Sequence, residues 1–190
     1  MNIVLSWDLF IVVFFVIIVA YSFIIGRDST LKVILGTYVA MIAADAIGEL
    51  FQQYFSGSAM FMDILKMAAV GNETEATIFV KVLVFILFVI LFAVKGAFEV
   101  ETTDDRSAAI RMSLSVIYAV MSAGLVISAI LMFVSGISFV AGGGPENASV
   151  ALWDIYSQSR LIRIMIQNSY LWFAVPALAF LMHSLYTKKD

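Results

Sequence analysis

The sequence predicts an all-α integral membrane protein: a bundle of about five transmembrane helices with two short interfacial helices, forming one polytopic domain over residues 1–190. Three observations predict it. Hydrophobic residues make up 63% of the chain and charged residues 13%, against about 45–50% and about 25% in soluble domains. The mean hydropathy is +1.03. Finally, the apolar residues fall into separate runs of about 20, the length that spans a bilayer core of about 30 Å.

The first span covers 7–25 (WDLFIVVFFVIIVAYSFII), with Trp7 and Tyr21 as interface anchors. No Lys or Arg precedes it and no small-residue cleavage site follows, so it is expected to stay attached. Gly26, Arg27, Asp28, Ser29 and Thr30 make a short polar turn into the second span, 33–54. After it, Phe61, Ile64, Leu65 and Ala68 recur at helical spacing on a run too short to cross, which predicts an interfacial or re-entrant helix. The third span is 77–94, with Lys81 one turn inside its start, and the fourth is 112–134. Ser115, Ala119 and Ala123, then Gly124 and Ser128, repeat at intervals of four; such small-residue spacing lets helix backbones approach closely in lipid. Gly142–Pro145 reads as a turn, since it lacks the Lys and following helix of a phosphate loop. A second surface helix, with Leu152, Ile155, Tyr156, Ser159 and Ile162 as its stripe, leads to a fifth span, 164–186. Pro176 inside that span is expected to free a carbonyl near Trp172 and kink the helix. Gln167 and Asn168 are expected to donate hydrogen bonds between helices. His183 sits at the end of the fifth span, a position more typical of an interface residue than of a proton relay.

Charge and composition exclude several function classes. A net charge of −3 without a basic patch argues against nucleic acid. The absence of cysteine excludes thiol and disulfide chemistry. No dinucleotide, Walker or HExxH motif is present, no His/Cys/Asp/Glu cluster has ligand spacing, and no cofactor or metal is expected. No nucleophile–base pair points to an enzyme. The expected partners are the lipid bilayer, further copies of the chain joined through its small-residue faces, or other membrane proteins. With the N-terminus outside, Arg27, Lys32, Lys95, Arg106, Arg111, Lys188 and Lys189 lie on the inner side, seven of the 11 basic residues. That bias satisfies the positive-inside rule and places the C-terminus in the cytoplasm.

The second span carries the candidate site. Asp45 and Glu49 are four residues apart and share one helix face. A carboxylate near mid-membrane costs about 2.5–3.5 kcal/mol on insertion scales, so that face must meet other helices or trapped water. Glu49 and Lys81 each lie about one turn, roughly 6–8 Å, below the outer ends of their spans. A Glu49–Lys81 or a Glu49–Arg163 pair would neutralise two expensive charges together. Asp45 is about one turn deeper, with no obvious basic partner at its depth. It is either a proton or cation site or a packing contact that accepts hydrogen bonds from serines of the fourth span.

Asp105-Arg106, followed by a helix with small residues at intervals, resembles the D-R-x-x-G-x-x-x-G signature of the colicin V production protein family, with Ala109 and Ser113 where that family has glycines. Asp8 opening the first span and Gly26-Arg27 closing it are similar to the family's first hairpin. Ser157, Ser159, Leu161 and Ile162 resemble its S-x-S-x-L-I stretch. The resemblance runs in order over residues 6–173. It implies a non-enzymatic bacterial inner-membrane protein with a role in toxin production or export, or in envelope homeostasis. It carries no mechanism to individual residues. The chain departs from the family's usual four spans in its long 53–76 connection and in a 164–186 segment long enough to cross. The alternative from the residues themselves is a small proton or cation channel, or a subunit of a transport complex, using Asp45.

Overall fold

The computed structural model describes residues 7–55, 58, 73–95, 108–136, 138, 156 and 159–186, with the backbone alone at 108–110 and 183–186. Six helices follow in order: α1 (Trp7–Ile25), α2 (Arg27–Phe55), α3 (Glu73–Lys95), α4 (Ala108–Val134), α5 (Arg160–Gln167) and α6 (Ser169–Tyr186). The described residues hold no strand. The first four helices are each long and apolar enough to cross a membrane, and α5 with α6 makes a fifth such segment if the two are taken as one span bent by 55°. The expected interfacial helix with Phe61, Ile64, Leu65 and Ala68, the loop with Asp105 and Arg106, the Gly142–Pro145 turn, and most of the surface helix before α5, with Ser157, lie outside the described residues.

Side-chain size decides which helix sits where. Helix α4 carries Ala119, Ser122, Ala123, Gly124, Ser128 and Ala129, all buried, and 72% of its span is enclosed by the fold. Small side chains let its backbone approach on several sides, and close van der Waals contact drives helix association in lipid. Helices α1 and α3 carry Val, Ile, Leu and Phe all round, and only 11% and 17% of their spans are enclosed. Val16, Ile17, Leu87 and Ile90 are exposed on the outside of the bundle.

The longest interface is the antiparallel pairing of α2 with α3. Its core is Ala40, Met41 and Ala44 of α2 against Phe85 of α3 and Val126, Ala129 and Phe133 of α4. Phe85 and Phe133 meet edge-on, 5.5 Å between centroids. A second cluster joins Ile11 of α1 to Ile127 and Leu131 of α4 and to Ile162 and Met165 of α5. A third sets Leu31 and Ile34 of α2 against Tyr118, Met121 and Leu125 of α4.

Two expectations are corrected here. The polar turn after the first span is one residue, not five. Gly26, at φ +83°, reverses the chain alone, and Arg27–Thr30 are already the first turn of α2. Thr30 Oγ1 donates to the carbonyls of Gly26 (2.8 Å) and Ser22 (3.1 Å), which ties that turn to the end of α1. The last helical segment is broken at Asn168, not at Pro176. The Asn168 side chain donates to the Ile164 carbonyl at 2.8 Å, and its backbone N–H bonds the same oxygen. Asn168 is the C-cap, and its backbone, at φ −108° and ψ 22°, leaves the helical range there. Pro176 is buried inside an intact α6. One residue from the carbonyl expected to be freed, the Phe173 carbonyl accepts the Tyr38 hydroxyl from α2.

Candidate functional site

The face of α2 that carries Asp45 and Glu49 packs against α3, and Lys81 lies between the two acids. Lys81 Nζ donates to Asp45 Oδ1 at 2.7 Å and to Glu49 Oε1 at 2.7 Å. Asp45 therefore does have a basic partner. The expectation that it lacks one at its depth fails because a lysine head acts several ångströms from its Cα, along a four-carbon stem. The room for that stem comes from Gly48. A Cβ at position 48 would stand 2.2 Å from Lys81 Cγ and 2.6 Å from its Cε. Only a glycine lets the stem lie on the α2 backbone and carry the ammonium between both carboxylates.

The second Asp45 oxygen, Oδ2, accepts a 3.0 Å hydrogen bond from Ser138, just beyond the end of α4. Asp45 is 0% exposed and Lys81 4%, whereas the Glu49 side chain keeps 28%. The cluster is thus sealed at Asp45 and open at Glu49. On its inner side the wall is apolar: Phe85, one turn from Lys81, packs with Met41 and Ala44. With all three groups ionised, these three side chains carry two negative charges against one positive between them. In a medium of low dielectric constant such a surplus is expensive. One bound proton, or one monovalent cation, cancels it.

Arg163, the other expected partner of Glu49, is placed elsewhere. Its guanidinium lies 5.4 Å from the Tyr156 ring centroid and donates to the Tyr156 carbonyl at 3.5 Å. Gln167 donates to the Tyr156 hydroxyl at 3.2 Å, while the Asn168 side chain donates within its own helix.

Three residues from separate parts of the sequence meet at the start of α5. Ser159 is its N-cap, with Oγ accepting from the Ile162 N–H at 3.1 Å. Asp8, at the start of α1, accepts from the Ser159 hydroxyl and from the Leu161 N–H (3.2 Å). A carboxylate at a helix N-terminus satisfies free N–H groups and complements the helix dipole. Helix α5 is thereby fastened to the end of α1.

The small-residue face of α4 is used inside the chain. Ala119, Ala123, Gly124 and Ser128 are buried, and the Gly124 site is filled by Trp172 of α6, whose Cε3 would stand 2.0 Å from an added Cβ. Ser115, at the start of the series, is partly exposed and donates to the Arg111 carbonyl at 2.9 Å. Ser138 and Gly48 are the two participants that the sequence reading missed. Gly48 had a signal, since it stands three residues from Asp45 and next to Glu49 on the same side of α2. Among the described residues, no group of three or more His, Cys, Asp or Glu converges.

No protein-family model, curated protein or solved structure matches this chain.

Proposed function

We propose that this chain is a non-enzymatic, multi-pass membrane protein whose Asp45–Lys81–Glu49 cluster binds and releases one proton during transport, as a small channel or as a subunit of a transport complex. The observation that carries the reading is the buried Lys81 ammonium shared by two carboxylates, with Asp45 Oδ1 and Glu49 Oε1 each 2.7 Å from it. A purely structural pair needs one acid. Here two acids share one ammonium, and ionisable groups among membrane spans mark ion and proton pathways. Glu49, the partly exposed member, is the entry; Asp45, the enclosed member, is the inner station, and Ser138 orients its second oxygen. Reconstitution into liposomes holding a pH-sensitive dye tests this. Under an imposed potential the parent acidifies or alkalinises the lumen, and Asp45→Asn abolishes the signal. A parent that moves neither protons nor sodium or potassium would sink the transport reading.

A second reading has a specific observation in its favour. Asp8, Ser159 and Leu161, which carry part of the resemblance to the colicin V production protein family, meet in one capping arrangement. In that reading the chain is a bacterial inner-membrane protein that serves toxin production or export, or envelope homeostasis. Its N-terminus lies outside and its C-terminus in the cytoplasm, and it acts through other membrane proteins or further copies of itself. A host lacking the chain then shows detergent sensitivity or reduced toxin release, rescued by the parent and not by Asp8→Ala. The chain has no cysteine, so a single cysteine at position 188 reports orientation; labelling from outside overturns it.

A further inference from the structure

Two species could neutralise neighbouring carboxylates such as Asp45 and Glu49: a proton, or a monovalent metal cation. Three observations discriminate between them. The first is that the place of a cation is already filled. A hard metal cation is held by several oxygens that converge on one point. Asp45 Oδ1 and Glu49 Oε1 converge on the Lys81 ammonium, 2.7 Å from each. A sodium or potassium ion would have to displace that like charge, whereas a proton adds to a carboxylate oxygen and needs no place of its own. The second is that Lys81 is held there. Its stem lies along Gly48, so close that a Cβ at position 48 would stand 2.2 Å from Cγ and 2.9 Å from Cδ. On the inner side Phe85, fully buried, packs with Met41 and Ala44. The Lys81 side chain is 5% exposed, and an ammonium enclosed to this degree stays on its partners, because a buried unpaired charge is costly. The third is that the site is reachable. The Glu49 side chain is 28% exposed, so an ion has a way in, and what it meets is a filled place.

We propose that Lys81 sets the selectivity of the cluster: its ammonium stands where a monovalent metal cation would sit between Asp45 and Glu49, so the site refuses sodium and potassium and accepts a proton. Lys81 thus acts as a tethered cation. Truncating it to alanine leaves the two carboxylate oxygens facing a vacant place, reached by the slot along Gly48 that the stem had filled. A monovalent metal cation fits that place. A Lys81 that merely joins two helices makes a different prediction: its loss weakens the α2–α3 interface, and no ion in solution restores it. The inference rests on the proton reading for the species taken up, but its test reads binding and not flux. A parent that moves no protons would sink that reading and leave the exclusion of metal cations standing.

The test measures thermal midpoints of the full chain in nanodiscs of phosphatidylcholine, in sodium, potassium or choline chloride at equal ionic strength. Choline, too bulky for the place, reports the general effect of salt. The parent should melt at the same temperature in all three salts. Lys81→Ala should melt lower in choline and regain about 5–10 °C in sodium or potassium at about 100 times the dissociation constant. Adding Asp45→Asn to Lys81→Ala should abolish that gain, because one of the two converging carboxylates is gone. If Lys81→Ala is too unstable to purify in choline, its recovery as folded, monodisperse protein in sodium or potassium is the equivalent readout. Any of three results overturns the proposal: a parent stabilised by sodium or potassium beyond choline, a Lys81→Ala chain that gains nothing over choline from either metal ion, or a gain that survives Asp45→Asn.

Discussion

Replacing Lys81 by methionine removes the ammonium and keeps the stem. Asp45, fully enclosed, then loses the ammonium that lies 2.7 Å from its Oδ1. At 2.7 Å and an effective dielectric constant of about 20, each lysine–carboxylate attraction is about 6 kcal/mol before desolvation is subtracted. Breaking a buried pair by deleting one partner costs about 3–5 kcal/mol net. For a chain of this size that corresponds to a fall of about 6–20 °C in thermal midpoint. The companion change Asp45→Asn removes the charge that Lys81 compensates. In the double variant the Asp45 and Lys81 charges are both gone while the partly exposed Glu49 keeps its own, so part of the Lys81→Met loss is recovered. The cycle of parent, two single variants and double variant, unfolded in detergent micelles, should therefore show a coupling of about 2–3 kcal/mol. Additive single effects, or a Lys81→Met loss below about 1 kcal/mol, would refute the placement of Lys81 between the acids.

Three further outcomes follow from the same geometry. Gly48→Ala should cost about 1–3 kcal/mol through overpacking, and the added loss should be substantially smaller when Lys81 is also changed to Ala, since the Lys81 stem from Cγ onward is the group in the way; equal losses in both backgrounds contradict this. Asp8→Ala should raise amide hydrogen exchange selectively at Leu161 and Ile162, which lose a direct acceptor and a positioned cap respectively, while the α2–α3 interface keeps its protection. Gly124→Ala should push α6 from α4, because Trp172 occupies the space a Cβ would need, and a shift in Trp172 fluorescence with a loss of about 1–3 kcal/mol reports it.

The long apolar helices were legible because their signal is coarse. An apolar run of about 20 residues announces a helix in lipid whatever its neighbours. The shared face of Asp45 and Glu49 was legible from their spacing, and Lys81 from its depth on the third span. The link from Lys81 to Asp45 was not. Depth counted along the backbone assigns a charge to the height of its Cα, whereas the lysine stem moves its head along the helix by about one turn. Gly48 is the residue that makes this possible, and a glycine beside two acids does not by itself announce a lysine on the facing helix. The break at Asn168 was hidden by a stronger signal nearby. Pro176 is the familiar helix breaker, but neighbouring helices in a bundle satisfy the groups it frees. An asparagine that captures the carbonyl four residues back ends a helix without any such mark. The meeting of Asp8 with Ser159 depends on α1 and α5 packing side by side against α4, which local patterns do not encode. The small residues of α4 were recognised as a close-packing face, but the same pattern serves equally for joining copies and for seating Trp172 within one chain.

The exchangeable proton on the Asp45–Lys81–Glu49 cluster is tested most directly by infrared difference spectroscopy of the protein in nanodiscs across a pH step. A carboxylic-acid carbonyl band should appear with uptake of one proton per chain, and Asp45→Asn or Glu49→Gln should remove it while the helical amide bands stay unchanged. Identical difference spectra in the parent and both variants would contradict the cluster as a proton site.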